Sequence, residues 1–176
     1  ELNTLVANNK VVDSDKLDGY HAGLFLTLLG YGSSRYFWVT LMPIHDYYYH
    51  LRTDGAGRSY SYDKTGDVWM PFYLPIPTVL GSYKLRCNQL KLGVYQADSS
   101  NYVKGIYLRA SDDDGDYTTL FSVTGTPLHS SKGSYTHSFG EKVLGNYPTI
   151  FVVVNVYYSS VRAVKIANVR LKVWYA

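Results

Sequence analysis

The chain has 176 residues, a length that suits one domain with a real core and leaves little room for a second. Its 17 Lys and Arg against 14 Asp and Glu leave a net charge of +3, and the cations form no block, which sets nucleic acid aside as a partner. A single cysteine, Cys87, excludes a disulfide framework or a cysteine-based metal site within one chain, and no apolar run approaches the roughly 20 residues that span a bilayer, so no membrane insertion is expected.

Tyrosine is the dominant compositional feature: 19 of them carry most of an aromatic content of 16%, while charged residues make up 18%. A tyrosine ring covers apolar surface while its hydroxyl still meets water or a partner, so such chains suit half-exposed strands and binding surfaces. Ordinary strand packing accounts for most of these rings.

The opening ELNTLVANN lacks the basic region and apolar core of a signal peptide. It also lacks an initiator methionine, which reads as a processed product or a fragment. The first 15 residues are polar with scattered aliphatics and form an extended lead-in. In SDKLDGYHAGLFLTLLG, Asp18 is a helix cap, Tyr20, Leu24 and Leu28 fall at helical spacing with Phe25 and Leu29, and Gly30 is placed to end the helix. Gly23 in its middle weakens it by about 1 kcal/mol relative to alanine, so this short helix needs a surface to dock on.

From Tyr36 the texture becomes that of β-structure. YFWVTLM is a compact strand, and HDYYYHLRTDGAGRSYSYDKTGDVW is looser, with turns at its Asp-Gly and Thr-Gly pairs. MPFYLPIPTVLG holds prolines at 71, 75 and 77 and reads as an edge or connector, because proline gives no donor to a ladder. In KLRCNQLKLGVYQ the parity of Leu85 and Cys87 opposes that of Leu90, Leu92 and Val94, which predicts a bulge near Asn88 or Gln89. GIYLRAS, YTTLFSVTG, SYTHSFGEKVL, TIFVVVNVYYSS and AVKIANVRLKVWYA follow, with turn chemistry between them. TIFVVVNVYY is apolar on both faces and predicts a central strand covered on both sides.

The fold expected is all-β: an antiparallel β-sandwich of jelly-roll kind with a short N-terminal helix. Residues 1–34 form the lead-in and helix, and 35–176 the sandwich head.

The residues Lys16-Leu17-Asp18-Gly19-Tyr20-His21-Ala22, followed by Phe25, resemble the Leu-Asp-Gly-aromatic-(His/Asp)-Ala-x-x-Phe element of tail-fibre proteins of bacteriophages and related viruses. Gly23 and Leu24 stand where that pattern has a small polar residue and Asp. The resemblance spans about ten residues. It implies a homotrimeric fibre at the virion surface or outside the cell, with a terminal domain that binds a host-cell surface receptor, glycan or protein. Leu17, Tyr20, Leu24, Phe25 and Leu28 carry more apolar surface than a lone short helix can hide, and three copies around an axis would hide it. The alternative is a helix that plugs one end of its own sandwich.

Candidate sites follow from the residues themselves. Tyr47, Tyr48, Tyr49, Tyr60, Tyr62 and Trp69 lie where little strand periodicity requires them as core. Arg52, Asp54 and Arg58 are polar partners nearby, so this set is the candidate sugar-binding surface; a second sheet packed by tyrosines is the competing reading. Asp112, Asp114 and Asp116 open like a calcium loop, but position 123 is valine where an EF-hand needs its closing acid, so a hairpin turn is the better reading. His45 and His50 are five apart and align on neither a strand nor a helix, so no metal site is assigned. His21, His129 and His137 have no nucleophile elbow beside them, and no G-x-G-x-x-G or P-loop occurs. Neither catalysis nor a cofactor is expected. Two further functions stay open: a carbohydrate-binding module of a secreted or surface protein, and a structural virion or filament subunit without a soluble ligand.

Overall fold

The computed structural model describes residues 36–44, 50–112 and 114–176. The expected helix, with Leu17, Tyr20, Leu24, Phe25 and Leu28, lies outside the described residues, and among those described there is no helix.

Twelve strands follow one another: β1 Phe37–Thr40, β2 Met42–Pro43, β3 Leu51–Thr53, β4 Ser59–Ser61, β5 Gly66–Tyr73, β6 Val79–Leu80, β7 Tyr83–Gln96, β8 Tyr102–Ser111, β9 Tyr117–His129, β10 Gly133–Val143, β11 Thr149–Tyr158 and β12 Lys165–Tyr175. Every pairing is antiparallel. One sheet runs β10-β7-β12-β4-β3, with β1 on the other half of the β12 edge and β6 on β7; the second runs β2-β5-β11-β8-β9. The two layers close on one core. Leu85, Cys87, Leu90, Leu92, Val169, Leu171 and Val173 from the first sheet meet Met70, Phe72, Ile106, Leu108, Val152, Val154 and Val156 from the second. Cys87 sits fully inside, where burial pushes its thiol up to about 12, so it acts as a small hydrophobe.

The parity break in β7 is a bulge at Asn88: β12 pairs Lys172 with Gln89 and Val173 with Cys87, so Asn88 is passed over. The extra residue lets Leu85 and Cys87 share a face with Leu90 and Leu92. The proline-rich segment divides into a strand at the near edge of its sheet and a connector, since Pro75 and Pro77 fall between β5 and β6. Pro71 lies inside β5, a strand continuous from Gly66 to Tyr73 and paired with β11 along its whole length. The Pro71 carbonyl accepts from Ile44 N–H on the β2 side at 3.1 Å. In an antiparallel strand a residue's N–H and C=O point the same way, so the missing donor of Pro71 faces that nearly open side and costs the β11 ladder nothing.

β11 is central as expected, and among the described residues no third layer lies over its outer face. Val153 and Asn155 point outward and are nonetheless buried, for Trp69 and Tyr107, their register partners on the flanking strands, meet across β11 with ring centroids 5.3 Å apart.

The chain crosses between the sheets at the β9–β10 connection, and ring contacts fasten that edge. Phe121 stacks on Phe139 with centroids 4.4 Å apart, and Tyr135 stacks on His129 at 3.7 Å. His129 Nε2 lies 3.0 Å from His137 Nε2, so one ring donates its N–H to the lone pair of the other. Burial, aided by the neighbouring His137, pushes His129 down to about 4, and burial also lowers His137. The unfolded chain, with histidine near 6.5, therefore binds more protons than the fold between about pH 6.5 and 4. Stability is fully present above that window and declines as pH falls through it, by on the order of 1–2 kcal/mol after allowance for solvent screening. Urea unfolding across pH 7 to 4 checks this, and the slope should flatten in His129→Gln; an equal slope in both proteins would remove the pair as its source.

Candidate functional site

The sequence-predicted site divides between the two sheets. Tyr47, Tyr48 and Tyr49 lie outside the described residues. Arg52, Asp54, Arg58, Tyr60 and Tyr62 gather around the β3–β4 hairpin, with Arg52 directly opposite Tyr60. Trp69 lies on β5, in the other sheet.

The hairpin is largely satisfied within itself. Asp54 accepts from the N–H groups of Ala56 and Arg58, from Arg58 Nε at 2.7 Å and from Lys165 Nζ at 3.3 Å. Partial burial alone would raise its carboxyl, but these donors outweigh it and hold Asp54 down to about 2. Gly57 supplies the positive φ that closes the turn. The Arg58 guanidinium lies 3.8 Å over the Tyr95 ring, and that of Arg52 lies 4.2 Å over Tyr62. The polar groups picked for sugar hydroxyls here are largely engaged with one another. Asp112, Asp114 and Asp116 belong to the turn joining β8 to β9, with Asp112 N–H donating to Asp116 C=O at 3.0 Å and Gly115 at φ 88°. Among the described residues no three His, Cys, Asp or Glu side chains converge as a metal would require.

Around Trp69 the situation differs. Val68, Met70 and Phe72 of β5 face the core, as do Val152, Val154 and Val156 of β11 and Ile106, Leu108 and Ala110 of β8. The alternate residues therefore line the outer face: Trp69 and Tyr73, Phe151, Asn155 and Tyr157, Tyr107 and Arg109. Three ring pairs cross it, Tyr73 with Phe151 at 5.5 Å, Trp69 with Tyr107 at 5.3 Å, and Tyr102 with Tyr157 at 5.4 Å. Phe151 and Tyr157 are six residues apart on one strand, so the row extends over about 20 Å. Trp69 is 40% exposed.

The polar groups of this face are less completely matched. Asn155 pairs in register with Trp69 on one side and Gly105 on the other. It is 6% exposed, and its Oδ1 has no hydrogen-bond partner among the described residues. An amide oxygen buried in this way costs about 1–3 kcal/mol. The Tyr107 ring folds over Gly105, where even a Cβ would come within 2.9 Å of it, so only glycine leaves that ring flat on the sheet. The Arg109 guanidinium lies 4.4 Å from the Tyr117 ring, 5.2 Å from Tyr107 and 5.7 Å from Trp69. Its Nε has no partner, and no carboxylate among the described residues pairs with it. On the β9 side the face continues into exposed hydroxyls, Thr119 beside Arg109, Ser122 beside Tyr107 and Thr124 beside Gly105. Aromatic planes flanked by unengaged donors and acceptors form a surface complementary to a ring with one apolar face and hydroxyls around its rim.

No family model matches the chain, and no curated protein matches it. Solved structures do. The chain is similar to the CBM32 of AlyQ in complex with 4,5-unsaturated mannuronic acid, at 20% identity and a TM-score of 0.44, over 77% of this chain and 95% of that one. It is also similar to the family 32 CBM from C. perfringens NanJ in complex with galactose, at 9% identity and a TM-score of 0.41, over 81% and 93% of the two chains. A third is CpGH89CBM32-5 from Clostridium perfringens, in complex with GalNAc-beta-1,3-galactose, at 14% identity and a TM-score of 0.36, over 60% and 66%.

Of the outer face, sequence reasoning found Trp69 alone. Tyr107, Arg109 and Asn155 were within reach of it. In GIYLRAS the tyrosine and arginine alternate with the core residues Ile106 and Leu108, and Asn155 is the single amide in an otherwise apolar run.

Proposed function

We propose that this chain is a carbohydrate-binding module, with the outer face of the β2-β5-β11-β8-β9 sheet as its sugar-binding surface. The observation that carries this is the Trp69–Tyr107 ring pair beside the buried, unpartnered Oδ1 of Asn155. A pyranose that displaces the Trp69 ring from above Asn155 and stacks beside it would bring a hydroxyl hydrogen to that oxygen. Arg109, Thr119, Ser122 and Thr124 offer donors and acceptors to the remaining hydroxyls. They do not form a nucleophile with its base, so the module acts by adhesion and not by chemistry.

The setting proposed is the tip of a trimeric viral or phage fibre, outside the cell, and its support is the sequence element from Lys16 to Phe25. Three copies raise the effective concentration of a weak site, which gives firm attachment without tight single contacts. Two measurements on one sample test the two levels separately. Light scattering should give three times the chain mass, and a glycan array should show bound sugars. A monomer that binds glycans would remove the fibre and keep the module; a chain that binds none would remove the module.

A further inference from the structure

The charges of the fold are not shared evenly between its two faces. The strands β1, β7, β10 and β12 carry three Lys or Arg on β7, one on β10 and three on β12, seven in all, against one carboxylate, Glu141. Glu141 is already held by Arg86. The strands of the other sheet carry Lys104 and Arg109 with Asp67, and Lys104 is paired to Asp67 at 2.9 Å. The chain's modest net charge therefore conceals a basic face.

The register sharpens that asymmetry. Leu90, Leu92, Val169, Leu171 and Val173 face the core, so Lys91, Arg170 and Lys172 point outward. Arg170 stands directly opposite Lys91 in the β12–β7 ladder, and Lys172 lies two residues further along. Like charges set opposite one another in a sheet destabilise it. Among the described residues no carboxylate pairs with any of the three and Arg170 Nε has no hydrogen-bond partner, while the Lys172 ammonium lies 4.3 Å over the Tyr36 ring. The row continues toward the β3–β4 hairpin through Lys165 and Arg58, whose shared partner is Asp54. Between and beside the cations lie Thr40 next to Arg170, Thr136 next to Lys91, and Gln89 next to Lys172, with Ser138 beyond it.

We propose that this face binds an anionic polysaccharide, one carrying carboxylate or sulfate groups, along the row from Lys172 through Arg170 and Lys91 to Lys165. Acidic groups take the cations, and the intervening hydroxyls and amides take the sugar hydroxyls. The rings of this surface stand at the two ends of the row, Trp38, Tyr36 and Trp174 by Lys172 and Tyr60 and Tyr95 by Lys165 and Arg58, and Tyr60 and Tyr95 are already covered by those cations. The middle of the row offers hydroxyls and amides and no ring, which suits a sugar chain better than a nucleic acid, whose bases need stacking platforms spaced along the strand. The proposal stands apart from the Trp69 face on the opposite sheet.

Binding of the full chain to heparin, polygalacturonate, neutral dextran and a single-stranded oligonucleotide, measured by biolayer interferometry at two salt concentrations, tests it. One or both acidic polysaccharides should bind and dextran should not on this face, with binding released by added salt. Heparin alone binding assigns sulfate; polygalacturonate alone assigns carboxylate. Lys91→Gln/Arg170→Gln/Lys172→Gln should weaken acidic binding about tenfold or more, whereas Trp69→Ala should leave it unchanged. Lys91→Gln alone relieves the opposed charges, so it should raise the melting temperature while weakening polyanion binding, which keeps the test open should the triple variant not fold. Acidic binding untouched by these substitutions, acidic binding no stronger than dextran, or an oligonucleotide bound more tightly than both polysaccharides would each overturn the proposal.

Discussion

Trp69→Ala should abolish most glycan binding and leave the fold intact. Trp69 is 40% exposed and faces away from the core, so its removal opens no cavity there. It does remove the half of the Trp69–Tyr107 pair that offers the more open ring, and it unroofs Asn155. A central aromatic anchor of this kind is worth about 2 kcal/mol or more, which is roughly a thirtyfold loss of affinity. Isothermal titration with a sugar identified on the array measures the loss, and far-UV circular dichroism confirms the sheet. Asn155→Leu separates ligand recognition from packing. It replaces a side chain whose buried Oδ1 has no partner among the described residues by an apolar one of similar size, so thermal stability should hold or rise while sugar affinity falls. A Trp69→Ala protein that binds as before would move the site off this face, and an Asn155→Leu protein that loses stability would show that the amide serves the fold.

How far the sequence foretold these features depends on which signal each one leaves. The β7 bulge was legible because a parity break between Cys87 and Leu90 within one strand requires an extra residue between them. The central position of β11 was legible because ten nearly unbroken apolar residues do not suit an edge. The prolines were legible as edge and connector: Pro71 sits in β5 with its missing donor on the side that only the two-residue β2 covers, and Pro75 and Pro77 lie in the connection from β5 to β6. The site was legible in kind and misplaced in space. Tyrosine, arginine and aspartate crowded between Asp46 and Asp63 drew attention to the hairpin, yet Asp54 turns out to be engaged by Arg58 and Lys165. The Trp69 face is assembled from single residues of β5, β8 and β11, which lie 38 and 48 positions apart in steps from Trp69 to Tyr107 to Asn155. Local composition does not register a cluster that only strand pairing creates. The basic face escaped for the same reason: Lys91 and Arg170 are neighbours through the ladder alone.

Tyr158→Phe should be the most damaging of the conservative changes in this fold, since it keeps the volume of a fully buried ring and removes one oxygen. That oxygen makes two hydrogen bonds, donating to Val164 C=O at 2.8 Å and accepting from Ser61 N–H at 3.1 Å. Both residues it joins are themselves fully buried, so water cannot take its place without opening the structure. Burial pushes the phenol well above its ordinary range, and the hydroxyl stays protonated and able to donate. Without it, a backbone donor and a backbone acceptor are stranded together, at a cost of about 2–4 kcal/mol, or roughly a 5–15 °C fall in melting temperature. The damage should begin locally. β4 is joined to β12 through the single register pair Ser59 with Ile166, and beyond it the β3–β4 hairpin is tied down by Arg162 N–H on Ser61 C=O, by Lys165 on Asp54 and by the Tyr158 hydroxyl, the one of these that sits fully inside. Hydrogen exchange in residues 51–61 should rise well before that in β7. Tyr157→Phe, one residue along on the outer face, supplies the comparison and should melt within about 1 °C of the parent. Equal melting temperatures for the two variants would mean that the hairpin is held by its turn and by the Arg162 and Lys165 contacts, and not by this hydroxyl.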